Sequence, residues 1–154
     1  MSRVLGVDPG ASGALAIVET WPAPRVLDIM DMPMVSFGKL KIVDGRAVVL
    51  WASMRGIDRI MFENVHSRPG QGVTSVCSFC GAIGGVLASL RVLGLPMRGV
   101  TPNDWKRVAG LIGQEKPASI GAARLKFGAS IEPFLAGKSP HADRAEAALI
   151  AIHS

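Results

Sequence analysis

The stretch V-L-G-V-D-P-G-A-S-G-A-L-A-I-V, residues 4–18, decides the fold of this chain. Its first apolar run predicts a strand over 3–8 that ends in Asp8, and a turn at 9–13 leads into a second strand over 13–19. A carboxylate buried without a partner among apolar residues costs several kcal/mol, and a divalent cation is the most economical partner. Asp also serves well as a turn cap. We favour a functional carboxylate at Asp8.

Three further acids occupy matching places. Glu63 ends the apolar run I-D-R-I-M-F-E (57–63), and Asp143 and Glu146 lie three residues apart in a predicted helix, so they share one face. If the strands before Asp8 and Glu63 are neighbours, both carboxylates emerge at one edge of the sheet. Taken singly, Glu63 fits a strand-end acid that faces solvent, and the helix pair fits a solvated face or charges at a helix start. Together the four predict one acidic pocket.

Four carboxylates without clustered His or Cys favour Mg²⁺ or Mn²⁺, which prefer hard oxygen ligands. Two such ions about 4 Å apart activate a water and stabilise the departing oxygen in phosphodiester hydrolysis. We therefore predict a two-metal site. Its catalytic residues and metal ligands are Asp8, Glu63, Asp143 and Glu146.

The remaining pattern predicts an α/β protein with a mixed β-sheet flanked by α-helices. Further strands are predicted at 25–31 and 97–100, an irregular connection at 32–41, helices after caps at Asp44 and Thr101, and helices at 73–93, 117–127 and 142–152. A length of 154 residues fits a single domain over 1–154.

The charge balance suits a polyanionic partner. The chain has 17 Lys and Arg against 12 Asp and Glu, for a net charge of +5. With four acids in one site, the other eight face those 17 basic residues, an excess of nine. Mildly basic proteins without such a partner are also common, so the balance supports nucleic-acid binding without proving it.

Other classes of protein are disfavoured. No apolar run reaches the ~18 residues of a membrane span, and no signal peptide precedes the first strand, so we expect a cytoplasmic protein with no membrane partner. Cys77 and Cys80 form a C-x-x-C inside a predicted helix, and the three His are scattered singly, which argues against zinc. We expect both cysteines to be small core or interface residues in a reducing compartment.

Four motifs in register make the chain similar to the RuvC family of Holliday-junction resolvases, in particular its phage and prophage branch. They are G-V-D-P-G at 6–10, F-E-N-V-H-S-R-P-G-Q-G-V-T-S at 62–75, V-T-P-N-D-W-K at 100–106 and A-D-R-A-E-A-A-L-I-A at 142–151. The resemblance covers nearly the whole chain. It implies an RNase H-like fold and a homodimer that cleaves two opposed strands of a four-way DNA junction with a metal cofactor.

By this resemblance the four acids fall on the family's four acidic positions. The last is often Asp, so the extra methylene of Glu146 must be absorbed by the backbone or by the metal position, and His141 lies nearby. The loop at 67–72 follows Glu63 and differs from some family members in having no aromatic residue to open the junction. Phe79 lies deeper, in the following helix.

Phosphate contacts supply most of the affinity of DNA-binding proteins, so basic and polar residues should ring the acidic pocket. The candidates are Arg68, Gln71, Lys106, Arg107 and Lys116, with Arg124 and Lys126 better explained as solvated charges. The loop that holds Arg68 and Gln71 also fits an ordinary surface loop. Trp105 fits a core position better than a base-stacking one.

Three alternatives stay open at this stage. The first is a catalytically inactive RNase H-like DNA-binding module, and the second is a nuclease for flaps, forks or RNA–DNA hybrids. The third is an ATP-binding protein of the actin and sugar-kinase type, which also opens with a strand, an Asp and a Gly turn. That type needs two such subdomains, so we expect no nucleotide cofactor. Metal-dependent cleavage separates a junction nuclease from the inactive module, and a comparison of junction, duplex, flap and hybrid substrates separates it from the second alternative.

Overall fold

The structure is a computed structural model that describes residues 2–67, 69–137 and 141–153. Its elements in chain order are β1 (Arg3–Asp8), β2 (Ala14–Glu19), β3 (Arg25–Asp31), β4 (Met34–Phe37), β5 (Leu40–Val43), α1 (Gly45–Ser53), β6 (Arg59–Glu63), α2 (Val73–Arg91), β7 (Met97–Val100), α3 (Pro102–Val108), α4 (Ala118–Phe127), a 3-10 turn (Gly128–Ser130), α5 (Glu132–Leu135) and α6 (His141–Ala151).

Five strands form a mixed sheet in the order β3-β2-β1-β6-β7. β1 is antiparallel to β2 and parallel to β6, with Val7 opposite Phe62. The next residues, Asp8 and Glu63, therefore end neighbouring parallel strands at one edge, as the sequence argument required. The predicted α/β architecture is confirmed.

The alternation of side chains along β1 divides the core into two layers. Val4 packs in the layer with α6, α3 and α4, whereas Leu5 and Val7 pack in the layer with α1 and α2. Asp8 has the parity of Val4, so it points toward α6. The face that receives Asp8 is thus fixed by the pleat of β1.

Gly6 lets α6 lie directly on the sheet. A Cβ at this position would fall 2.0 Å from the carbonyl oxygen of Ala147 and 2.8 Å from the Cβ of Ala151, which no side chain tolerates. Ala145 and Ala148 are also fully buried on this helix. The close approach seats the later turns of α6 on the middle of β1, and the first turns of the helix carry Asp143 and Glu146 toward Asp8 at the end of the strand.

The predicted irregular connection at 32–41 is wrong, because 34–43 form the hairpin β4–β5. Met34 pairs with Val43 and Phe37 with Leu40 around a Gly38 turn that has a φ of 61°. The Pro33 and Gly38 signals looked like loop signals, but Gly38 supplies the positive φ of a tight turn. The short helix α5 was also not predicted.

α2 departs from two expectations. By length and composition alone its 19 residues suffice to cross a membrane, so the expectation that no run reaches that length is wrong. A single helix of this kind is weak evidence for a membrane. Only Ala82, Val86 and Leu90 are buried, and both Cys77 and Cys80 are exposed, so a core role for the cysteines is wrong as well.

Candidate active site

The four predicted acids line one open cavity of about 820 Å³ at the edge where β1 and β6 end. β1 delivers Asp8, β6 delivers Glu63, and the first turns of α6 deliver Asp143 and Glu146. Lys106 of α3 and Lys116, which precedes α4, also line the cavity. The structure thus brings together residues that are up to 138 positions apart in the chain, as Asp8 and Glu146 are.

Three of the acids form a tight buried cluster. Asp8, Asp143 and Glu146 each place one carboxylate oxygen within 4.8 Å of the others. Burial raises the pKa of Asp8 well above its ordinary value, and the charges of Glu146 and Glu63 raise it further. Burial likewise raises the pKa of Glu146. The protein alone therefore holds these negative charges together at a cost in free energy.

A divalent cation fits this cluster. The Oδ2 atom of Asp8 is buried and accepts no hydrogen bond within the described ranges. Buried polar atoms are nearly always satisfied, so this oxygen points to a ligand that binds it. The donors are carboxylate oxygens, which suit Mg²⁺ or Mn²⁺ better than zinc or copper.

Lys116 supplies part of the missing positive charge. Its ammonium donates a hydrogen bond to Oδ1 of Asp143 and lies 3.7 Å from Oε2 of Glu146. Burial alone lowers the pKa of Lys116, but the hydrogen bond to Asp143 and the charges of Glu146 and Asp8 outweigh this and raise it. Lys116 therefore stays charged beside the acids.

Glu63 lies apart from the three-acid cluster and has a different partner. Its Oε1 accepts a hydrogen bond of 2.7 Å from the indole Nε1–H of Trp105. Trp105 is only 1% exposed, so the interpretation of this residue as a core tryptophan is confirmed. What the sequence did not reveal is that its one polar atom bonds to a predicted metal ligand.

The other predicted DNA contacts are placed unequally. Lys106 faces the cavity, whereas Arg107 is turned outward, with a side chain 71% exposed and an ion pair of 3.3 Å to Asp104. Gln71 is exposed just before α2. Arg68 lies outside the described residues.

Sequence reasoning missed the wall that α2 contributes to the cavity. Its first two turns present small polar side chains and one half-buried aromatic ring: Thr74, Ser75, Ser78 and Phe79. Spacings of three and four residues along a helix were the available signal.

His141, by contrast, is absent from the described lining, and its buried Nε2 has no hydrogen-bond partner within those residues.

The fold is that of RuvC and related Holliday junction resolvases. Thermus thermophilus RuvC in complex with a Holliday junction substrate superposes with a TM-score of 0.70 at 16% identity, covering 99% of this chain and 92% of that one. The fowlpox virus Holliday junction resolvase gives 0.57 at 16% identity, with 96% and 94% covered. The yeast mitochondrial Holliday junction resolvase gives 0.59 at 14% identity, with 99% and 77% covered.

Sequence comparison adds nothing to this likeness, since no protein-family model and no curated protein matches the chain. At such low identities the likeness concerns the fold, and the function has to be argued from the site.

Proposed function

We propose that this protein is a metal-dependent endonuclease that resolves four-way DNA junctions by paired phosphodiester cleavage. One observation carries the proposal: four carboxylates converge in one cavity, where a buried oxygen of Asp8 has no protein partner among the described residues. This arrangement occurs in a fold that is shared with resolvases, two of which were solved in complex with Holliday junction DNA.

In this proposal Asp8, Glu63, Asp143 and Glu146 hold two Mg²⁺ or Mn²⁺ ions. Bound there, the ions would activate a water and stabilise the departing oxygen of the phosphodiester. Lys106 and Lys116 on the cavity wall offset the charge of the scissile phosphate and orient it. Because Lys116 already touches Asp143, it couples the position of the phosphate to the position of the acids.

The DNA path that we propose enters over Lys106 and Lys116. Arg68 and Gln71, in the loop between β6 and α2, remain candidates for a contact beside the cut. Arg107 is a weaker candidate than the sequence suggested, because it faces away from the cavity and pairs with Asp104. Membership of the phage branch and a cytoplasmic location stay predictions.

We also propose a homodimer, since one site cuts one strand and a junction needs two symmetric cuts. Support comes from α2, where small exposed residues alternate at spacings of three and four: Cys77, Gly81, Gly84 and Ala88. This spacing is that of a helix packed along another helix. Gly85, a further small residue of α2, instead faces Val43 of β5, whose side chain would lie 3.3 Å from an added Cβ.

A substrate panel tests the activity. A fixed four-way junction is incubated beside matching duplex, flap, fork and RNA–DNA hybrid, each with Mg²⁺, Mn²⁺ or a chelator. We expect symmetric paired cuts in the junction only, and only with metal. Junction binding without cleavage under any metal would favour the inactive module, and equal cutting of flaps or forks would favour the general nuclease.

Native cysteines test the dimer. Cys77 and Cys80 are both exposed on α2, so oxidation with copper phenanthroline should link two copies through this helix. The Cys77→Ser, Cys80→Ser double variant is the control and should not be linked. Sedimentation at micromolar concentration that shows one 16.2 kDa species, with and without junction DNA, would refute the dimer.

A further inference from the structure

The contact between Trp105 and Glu63 joins the deepest tryptophan of the fold to the acid that stands apart from the cluster. Trp105 is among the largest fully buried side chains, and an indole has a single hydrogen-bond donor. A buried Trp N–H needs an acceptor, and a backbone carbonyl would serve for stability alone. Here the acceptor is a carboxylate oxygen of a cavity residue, at 2.7 Å.

The backbone around this contact is tightly fixed. Glu63 and Val100 face each other across β6 and β7, and the N–H of Asn64 donates to the Val100 carbonyl at 2.7 Å. α3 starts two residues later, with Thr101 as its cap and Pro102 in its first turn. Trp105 therefore reaches Glu63 from a helix whose start is anchored to the neighbouring strand.

The consequence concerns how Glu63 presents itself. With Oε1 held by the indole, the carboxylate has a fixed rotation, and Oε2 is the oxygen left to face the cavity. The three-acid cluster has no comparable tryptophan among the described residues, and Asp8 keeps a buried oxygen free. The two parts of the site are thus oriented by different means: the cluster by the end of β1, by α6 and by Lys116, and Glu63 by Trp105.

We propose that Trp105 is a positioning residue that holds Glu63 as a one-oxygen metal ligand through its indole N–H. This inference rests on the proposed function, because it takes Glu63 to be a ligand. It adds a residue for which the resemblance implies no role. Loss of an outer partner of a metal ligand typically costs about 10- to 100-fold in metal affinity.

The test is calorimetric titration of the intact protein with Mn²⁺ alone, without DNA. Trp105→Phe removes the donor, and incorporation of benzothienylalanine at 105 removes it while keeping the ring shape, so a folding defect does not confound the result. We expect both to weaken the binding event that Glu63→Gln also weakens, by about 10- to 100-fold. In a Glu63→Gln background, Trp105→Phe should cause no further loss, because the carboxylate ligand that the indole positions is already absent.

Trp51 provides a matched control. Its indole N–H also donates to a carboxylate, Oδ2 of Asp28 at 3.1 Å, but away from the cavity. Trp51→Phe should leave Mn²⁺ binding unchanged. Unchanged affinity in the benzothienylalanine protein, or losses from Trp105→Phe and Glu63→Gln that add independently, would overturn the inference. If Mn²⁺ binding responds as expected but no junction is cut, the proposed function fails and the role of Trp105 stands.

Discussion

α6 and α2 lie on opposite faces of the sheet and differ from an ordinary amphipathic helix in opposite ways. α6 buries charged side chains, whereas α2 exposes apolar ones. α6 buries eight of its eleven residues, among them Asp143 and Glu146, whereas α2 buries three of nineteen although it is largely apolar. Buried charge requires a compensating ligand, and an exposed apolar helix is typical of a surface that another molecule covers. In the function that we propose, this difference separates the side of the sheet that binds the cation from the exposed part of α2 that meets a second copy.

The largest effect is expected on the α6 side. Asp8→Asn, Glu63→Gln or Asp143→Asn should each lower junction cleavage by about a thousandfold or more, because loss of a ligand removes several kcal/mol of transition-state stabilisation. Junction binding should persist, and without metal it should tighten, since a negative charge near phosphate is lost. Single-turnover cleavage and band-shift assays measure the two quantities. Near-normal cleavage by Asp8→Asn in Mg²⁺ would refute the proposed metal site.

On the α2 side, a large side chain in the small-residue surface should weaken the dimer. Gly84→Gln adds bulk where the protomer leaves open space, and Gly121→Gln in α4 makes the same change in equally open space. Both replace a helical glycine, so each protomer should keep or gain stability, by up to ~1 kcal/mol. Sedimentation equilibrium should show a dimer dissociation constant raised by about tenfold or more for Gly84→Gln only, as expected for about 1.4 kcal/mol. Equal dissociation constants for the Gly84→Gln and Gly121→Gln variants would mean that the dimer interface does not include this surface of α2.

Asp8 and Asp31 each end a strand, and their pKa values are shifted in opposite directions. The pKa of Asp8 is raised by burial, so between its ordinary value and the raised one the folded state binds more protons, and stability falls as pH rises. The pKa of Asp31 is lowered by a paired hydrogen bond from Arg144, so its contribution is present above the ordinary value and lost as pH falls through the lowered one. In metal-free buffer at neutral pH, Asp8→Asn should therefore raise Tm and Asp31→Asn should lower it.

Differential scanning calorimetry measures both shifts, with about 3 °C expected per kcal/mol for a chain of this size. The gain of Asp8→Asn should shrink as pH falls toward the ordinary range of a carboxylate. Saturating Mg²⁺ should raise the Tm of the wild type above that of Asp8→Asn, because only the intact cluster gains the free energy of metal binding. A Tm for Asp8→Asn below that of the wild type without metal would mean that the cluster is not strained.

The local sequence pattern was sufficient to predict the acids at the ends of β1 and β6, because each apolar run ends in an acidic residue. It was also sufficient for α6, because two acids three residues apart share one face of a helix. It was insufficient where contacts join distant segments. Trp105 and Glu63 are 42 residues apart, and Lys116 and Asp143 are 27 apart, so no periodicity relates them. The hairpin after β3 was missed for another reason: Pro33 and Gly38 are equally common in loops, and only strand pairing distinguishes the two.

The smallest expected effect distinguishes two adjacent basic residues on α3. Lys106 lines the cavity, whereas Arg107 is turned away and paired with Asp104. If Lys106 touches one phosphate, Lys106→Met should flatten the slope of log binding constant against log salt by about 0.9, while Arg107→Met should leave it unchanged. Between roughly 50 and 200 mM salt, this amounts to about a fourfold smaller change in affinity. Fluorescence anisotropy with a labelled junction resolves such a difference, and equal slopes for the two variants would place the DNA path away from the cavity wall that Lys106 forms.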